Sequence, residues 1–226
     1  PIFVTAPVER CGSTLVQRLL NSSRRIAVYG ENPHFCEIAP TALHAIARVV
    51  TGEHSGRGLM ESAREGERRG ATEFWTNSFL PPTTDYAEIM LDAFYRAAAH
   101  YEADAAALGF DRWGVKYPLG RLEAMREWLS FLPRTRFVVV HRDIVDCVAS
   151  AKARRFFTPR SPLMAFCERW VRNMDWLERL RGNEVHVMSY EALLEDPMSE
   201  IDRLGRFLDI EGMDPDVMTR KINRFT

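Results

Sequence analysis

The chain has 226 residues, of which 46% are hydrophobic and 27% charged, and its formal net charge is -1. This length suits one hydrophobic core and is short for two, so a single domain over residues 1–226 is expected. The near-zero net charge disfavours a protein that coats nucleic acid, because such proteins are usually strongly basic. No apolar run approaches the roughly 20 residues of a membrane helix, so no membrane association is predicted.

Short β-branched runs alternate with helical patterns along the chain. The predicted strands are Ile2–Thr5, Ile26–Tyr29, Trp113–Tyr117, Thr135–His141 and Val185–Met188. The predicted helices follow the loop at Gly12 and cover Pro40–Val50, Tyr86–Leu108, Leu119–Leu132, Asp143–Ala153, Pro162–Leu180, Tyr190–Leu194 and Pro197–Phe207, with a loop at 30–37 and a polar helix or loop at about 56–70. This alternation indicates an α/β fold with a mainly parallel central sheet.

Cysteine and lysine are both scarce. The four cysteines, Cys11, Cys36, Cys147 and Cys167, form no Cys-x-x-Cys pair and no zinc-like spacing with His, so no metal site is predicted. We expect reduced thiols and a cytoplasmic location, because no secretory leader is visible, although the chain opens without Met. Of the 30 basic residues only three are lysines, namely Lys116, Lys152 and Lys221. Base composition of the genome explains that scarcity, but not where the three lysines fall.

A glycine-containing loop joins the first strand to the first helix at residues 6–14. Unpaired N–H groups and the positive dipole end of a helix suit a bound phosphate, and Gly12 lets the backbone approach it closely. Ser13 and Thr14 add hydroxyl donors. A nucleotide-triphosphatase loop would have a Lys directly after Gly12, whereas here Arg10 precedes it. Taken alone, the loop fits an anion site and a plain turn capped by Ser13 equally well.

A second polar pattern follows the run Phe137–Val140, which suits a strand buried on both faces. Arg142 comes directly after that strand, where open α/β sheets bind ligands. Helical spacing places three further polar side chains on one face, those of Asp146, Ser150 and Arg154. The side chains expected to face the core are those of Val145, Val148 and Ala149. A charged surface stripe is the alternative, but Arg142 with Ser150 favours a second phosphate site.

The two patterns together resemble those of the sulfotransferases that use 3′-phosphoadenosine 5′-phosphosulfate (PAPS). In that family the 5′-phosphosulfate loop typically reads Arg-Ser-Gly-Thr-Thr-Leu, and here it reads Arg10-Cys11-Gly12-Ser13-Thr14-Leu15. The family's 3′-phosphate motif starts with Arg-Asp and has a Ser at the spacing of Arg142 and Ser150. Arg154 matches a further Arg of the tyrosylprotein branch.

Two more elements match in the same order along the chain. Lys116-Tyr117-Pro118 matches the family's Lys-x-Pro element, and the segment from Ser189 to Leu193 resembles its Tyr-Glu-x-Leu segment, whose Tyr, here Tyr190, lies near the adenine. Lys221, in a late basic stretch, either closes the 3′-phosphate site or belongs to a frayed tail. Cys11 departs from the usual Ser. Glu9 places a carboxylate beside the anion loop, which requires an outward orientation or a partner such as Arg10.

The resemblance implies a P-loop-like three-layer α/β/α fold, with a helical insertion at about 40–110 on the acceptor side. It implies in-line transfer of a sulfuryl group from PAPS to a hydroxyl or amine, with 3′-phosphoadenosine 5′-phosphate (PAP) as product and no metal. The residues implied to bind PAPS are Arg10, Cys11, Gly12, Ser13, Thr14, Leu15, Arg142, Ser150, Arg154, Tyr190 and Lys221. The residues implied in catalysis are Arg10, Lys116, Glu31 and His34.

An acceptor hydroxyl needs a general base, and the segment 30–37 carries the candidates. Glu31 is the first choice, with a solvated loop carboxylate as its alternative role. His34 is the second choice, and Glu37 is expected to form a salt bridge at a helix start.

Two other functions stay open, a P-loop small-molecule kinase and a non-catalytic nucleotide-binding protein. A kinase requires the Lys that is missing after Gly12. The expected partner is a small-molecule or peptide acceptor, with no nucleic acid, and a homodimer is a further expectation. The pattern does not identify the acceptor.

Overall fold

The computed structural model describes residues 1–50, 69–70, 83–118, 121–157, 160–180 and 182–220. Lys221 and almost all of the segment expected at 56–70 lie outside these residues. Within them, a five-stranded sheet forms in the order β2-β3-β1-β4-β5, and all neighbouring strands run parallel. The strands are β1 (Ile2–Thr5), β2 (Ile26–Tyr29), β3 (Arg112–Lys116), β4 (Arg136–His141) and β5 (Val185–Ser189). The prediction of an α/β fold with a parallel sheet is confirmed.

The described helices follow the strands closely. They are α1 (Ser13–Ser22), α2 (Ala39–Val50), α3 (Thr83–Ala107), α4 (Ala124–Phe131), α5 (Ile144–Ala153), α6 (Arg160–Arg179), α7 (Tyr190–Glu195) and α8 (Pro197–Leu208). A π-helical turn covers His34–Ile38, and a 3₁₀ turn covers Pro215–Thr219. Among these residues, none of the helices combines the length and the apolar character that crossing a membrane requires.

Helices cover both faces of the sheet, because the central strands carry apolar side chains on both sides. Val4 and Val138 face a core formed with α1, α7 and α8, whereas Phe3 and Phe137 face a core formed with α2, α3 and α4. In the second core Trp128 of α4 is fully buried, and its ring meets Phe3 edge-on at 4.8 Å. Alternate side chains of one strand thus anchor opposite helical layers, which gives the predicted α/β/α arrangement.

The strand order places a crevice at the carboxyl ends of β1 and β4. In the strand order, β2 and β3 lie on one side of β1, and β5 lies on the opposite side of β4, so the connections after β1 and after β4 run in opposite directions. Thr5 of β1 is in register with Val139 of β4, so the loops after these two strands start side by side. Ligands of open α/β sheets bind at such a switch point.

Three local expectations differ from the structure. The helix expected from Leu119 begins only at Ala124, because residues before it form a turn in which Asn173 accepts the Leu122 amide. The loop expected at 30–37 ends in the π-helical turn. On α5, Val145 is 71% exposed, because Cys147 and Ala151, one turn apart, dock the helix instead.

Replacement of Gly114 by Ala is expected to destabilise the sheet. Gly114 of β3 lies opposite Ile2 of β1, and a Cβ there would lie 2.6 Å from the Ile2 carbonyl oxygen. Overpacking of this kind costs about 1–3 kcal/mol, so the melting temperature should fall by several degrees. Gly30→Ala is the matched control, because nothing lies within 4 Å of a Cβ there. Equal melting temperatures for the two variants would contradict this account of β3.

Candidate active site

The loop after β1 turns into α1 through two residues with positive φ. Gly12 is the N-cap of α1 with φ 101, a conformation that only glycine adopts readily, so the alternative of a turn capped by Ser13 is wrong. Arg10 also has a positive φ, of 74. The Leu15 side chain is buried in the core, so this residue can offer a ligand only its backbone. Ser13 is buried and Thr14 half-buried in the first turn.

Arg10 connects this loop to the helix after β4. Its Nε donates a hydrogen bond to Ser150 Oγ at 3.1 Å, and its guanidinium lies 5.9 Å from the centre of the Phe156 ring. Cys11 turns inward, with its Sγ 3.5 Å from Cys147 Sγ. The two polar patterns found in the sequence therefore touch directly, although 140 positions separate Arg10 from Ser150.

Arg142 and Tyr190 form the other half of the site. The Arg142 guanidinium lies over the Tyr190 ring at 4.6 Å, an arrangement in which cation and π-face attract. Its Nη2 pairs with Asp146 Oδ2 at 3.2 Å, while its Nε is buried and has no hydrogen-bond partner among the described residues. Asp146 therefore pairs with Arg142, whereas the charged stripe considered as the alternative would have extended from Asp146 to Arg154. Arg154 lies exposed at the end of α5.

Tyr190 also explains the glycine at position 12. A Cβ on Gly12 would lie 2.3 Å from Tyr190 Cδ2, so the ring occupies the space that any other residue would need. Glu191 holds this corner in place: its carboxylate accepts the Asp143 amide at 3.0 Å and the Ser189 hydroxyl at 2.7 Å. Burial disfavours the charge, but these hydrogen bonds keep the pKa of Glu191 below its usual value.

Glu31 and Lys116 meet at the carboxyl ends of β2 and β3. Lys116 Nζ donates to Glu31 Oε1 at 2.6 Å, and the exposed fractions of the two side chains are 10% and 52%. The ammonium is therefore enclosed while the carboxylate faces solvent. Asn32 fixes the loop beside Glu31, because its amide donates to Tyr101 Oη at 3.0 Å and its Oδ1 accepts the Phe35 amide.

The other base candidates take different positions. His34 is exposed at the start of the π-helical turn. Glu37 accepts a hydrogen bond from Tyr117 Oη at 2.7 Å, so its partner is a phenol and not the cation of a salt bridge. Burial and this carboxylate raise the pKa of Tyr117. The geometry thus presents one exposed carboxylate beside a lysine, that of Glu31.

A comparison of the chain with protein families finds a match to the sulfotransferase family over residues 1–215. The chain belongs to this family. None of the curated proteins matches it in sequence. Among solved structures, the sulfotransferase domain from the curacin biosynthetic pathway is similar at 15% identity and a TM-score of 0.57, covering 99% of this chain and 78% of that one. The sulfotransferase domain of the Synechococcus PCC 7002 olefin synthase is similar at 16% identity and a TM-score of 0.56, covering 100% and 78%. At these identities the two structures support the fold alone.

Membership of the family makes this chain an enzyme that transfers sulfuryl groups, as the motifs predict. In the part of the sulfotransferase that the structure describes, no group of three or more His, Cys, Asp or Glu side chains could hold a metal ion.

Two supporting residues of the sulfotransferase were missed by sequence reasoning. Asn173 of α6 is fully buried, and it donates to the Pro7 carbonyl at 2.7 Å while accepting the Leu122 amide, so it links the loops after β1 and β3. Glu9 forms an ion pair with Arg169. The cation that balances this carboxylate is therefore Arg169 and not Arg10. The presence of Glu9 beside the loop indicated that a cation would pair with it, but not which residue supplies that cation.

Replacement of Gly12 by Ala is expected to destabilise this sulfotransferase by about 2 kcal/mol, from the positive φ and from the clash with Tyr190. In a Tyr190→Ala background the same replacement should cost clearly less, because only the backbone strain remains. Thermal unfolding of the four proteins gives the coupling free energy between the two positions. A coupling of zero would show that the ring does not constrain residue 12.

Proposed function

We propose that this sulfotransferase uses PAPS as its donor and transfers the sulfuryl group to a hydroxyl or amine of a small-molecule or peptide acceptor. The observation that carries the proposal is the meeting of two anion-binding segments, through Arg10 with Ser150 and through Gly12 with Tyr190 and Arg142. PAPS carries two separate anionic groups and an adenine, and these segments offer a match for each.

Three features of the candidate site fit PAPS. The left-handed Gly12 is the N-cap of α1, and the N–H groups at the N-terminus of a helix favour an anion such as a phosphosulfate. The buried, unpartnered Nε of Arg142 supplies a donor for a 3′-phosphate near Ser150. The Tyr190 ring offers an aromatic face near these groups for the adenine, although part of it already contacts Arg142. Arg154, Lys221 and the hydroxyls of Ser13 and Thr14 are additional proposed contacts.

The bound donor supplies a trigonal sulfuryl group and a 5′-phosphate leaving group. Negative charge on the equatorial oxygens and on the departing phosphate needs fixed cations and N–H donors, as in phosphoryl transfer. In this chain Arg10 and Lys116 are proposed to supply the cations, and the amides at the start of α1 the N–H groups. Lys116 is held at the end of β3 with little freedom, so its position is set before the ligand binds.

Glu31 is proposed as the general base that accepts the acceptor's proton at a carboxylate oxygen. It is exposed towards solvent, one oxygen is held by Lys116, and the other is left for the acceptor. His34, exposed three positions later, is the second candidate. No step in this scheme uses a metal ion.

Binding of PAP should raise the melting temperature of the protein more than ATP with Mg²⁺ does. A ligand that binds only the folded state stabilises it by RT ln(1 + [L]/Kd), which is about 2.7 kcal/mol at a hundredfold excess over Kd. Thermal shift titration with the two ligands at equal concentrations tests this. Stabilisation by ATP with Mg²⁺ alone would overturn the assignment of PAPS and favour a kinase.

Two substitutions should separate binding from chemistry. Arg142→Ala removes charged hydrogen bonds worth about 1.5–3 kcal/mol, so Kd for PAP should rise roughly 10- to 100-fold.

Glu31→Gln keeps an oxygen for Lys116 but cannot accept a proton, so kcat should fall about 100-fold or more with PAP affinity retained. Calorimetry measures the Kd for PAP. The kcat is measured with a radiolabelled donor and an acceptor that a screen has shown to be sulfated.

Two control variants test whether these effects are specific to Arg142 and Glu31. Arg134→Ala removes an exposed arginine at the opposite edge of the sheet and should leave Kd unchanged. His34→Ala distinguishes the second base candidate. Full turnover in Glu31→Gln together with loss in His34→Ala would transfer the base role to His34.

A further inference from the structure

Two thiols touch inside the proposed donor site. Cys11 lies between Arg10 and Gly12 in the phosphate loop, and Cys147 lies in the first turn of α5, the helix that follows Arg142. Their Sγ atoms are 3.5 Å apart and both residues are fully buried. This contact joins the loop proposed for the 5′-phosphosulfate to the segment proposed for the 3′-phosphate.

The surroundings make the two thiols unequal. A hydrogen bond from Cys147 and the positive charge of Arg142 lower the pKa of Cys11, against the effect of burial. The same hydrogen bond, together with burial, raises the pKa of Cys147. The thiol with the lowered pKa thus lies beside the one with the raised pKa, and the short Sγ–Sγ distance places Cys147 within reach of Cys11. Cys36 differs, because burial raises its pKa to about 12.

We propose that Cys11 and Cys147 form a reversible disulfide that weakens binding of the donor, an inference that rests on the proposed function of the loop. The oxidant is a peroxide. The Cys11 thiolate attacks one oxygen of hydrogen peroxide, the O–O bond breaks, and the second oxygen leaves as hydroxide and becomes water. Cys147 Sγ then attacks the sulfenic sulfur of Cys11, the S–O bond breaks, and the released hydroxyl takes the proton of Cys147 as a second water. Two electrons pass from the sulfurs to the peroxide.

Formation of the bond changes the loop that binds the donor. An S–S bond is about 2.05 Å long, so the contact must close by about 1.5 Å. Cys11 is covalently flanked by Arg10 and by the N-cap of α1, so that movement shifts both the arginine and the amides beside it. Hydrogen bonds to a phosphate weaken steeply over such displacements. Bound PAP covers the same loop and should therefore slow the oxidation.

The test uses the full chain with Cys167→Ser, which removes the half-buried thiol of α6 as a competing site. Peroxide treatment of the reduced protein should give a mass loss of two hydrogen atoms and a peptide that joins Cys11 to Cys147. Kd for PAP, measured by calorimetry, should rise at least about tenfold, as expected for a misplacement near 1 Å, and dithiothreitol should restore it. A further Cys147→Ser replacement should abolish the loss of two hydrogen atoms and its reversal by dithiothreitol, because the sulfenic acid of Cys11 then lacks its neighbouring thiol, and Cys147→Ala serves if that variant does not fold.

Three outcomes overturn the inference: no mass loss, a cross-link between other residues, or the expected disulfide with an unchanged Kd for PAP. A reduced protein that does not bind PAP overturns the proposed donor, and with it the switch. Mass spectrometry detects the disulfide without PAP. It therefore distinguishes a protein that does not bind PAP from a protein in which the disulfide does not form.

Discussion

Burial of the sheet on both faces is the constraint on which the site depends. Phe3 and Val4 of β1, like Phe137 and Val138 of β4, are fully buried on opposite sides, so a slip of one residue would exchange the two cores. The fixed register aligns the carboxyl ends of the strands. The groups proposed for chemistry lie at those ends or in the segments that follow them, and this is why residues far apart in sequence, such as Arg10 and Ser150, can hydrogen bond.

The charges at this edge are largely balanced before any ligand binds. Lys116 is paired with Glu31, Arg142 with Asp146, and Arg169 with Glu9. Arg10 is held by a neutral hydroxyl, that of Ser150. Such pairing limits the repulsion between cations in a small site, and it is consistent with a chain of net charge -1. The proposed donor would have to replace Asp146 as the partner of Arg142, and the Asp146 side chain is 55% exposed and can move away at little cost.

The strands and the main contacts of the site follow from local sequence, because β-branched runs and short motifs carry their own geometry. The order of motifs along an α/β chain also predicts that they meet at one edge. Sequence could not reveal Asn173, since a buried Asn between two loops has no local signature. It could not show that Val145 faces solvent either, because the face that α5 buries is chosen by its docking through Cys147 and Ala151. Tertiary packing decided both.

The rarity of lysine gives a final argument about Lys116. The side chain is enclosed at the end of β3, where its Nζ donates to Glu31 Oε1 at 2.6 Å, and an ammonium needs fewer acceptors when buried than a guanidinium, which presents five donors. Arg10 and Arg142 lie instead near aromatic rings, those of Phe156 and Tyr190, which attract a planar guanidinium. The compact ammonium of Lys116 therefore suits a position that offers one carboxylate oxygen, in a chain where arginine supplies most of the positive charge.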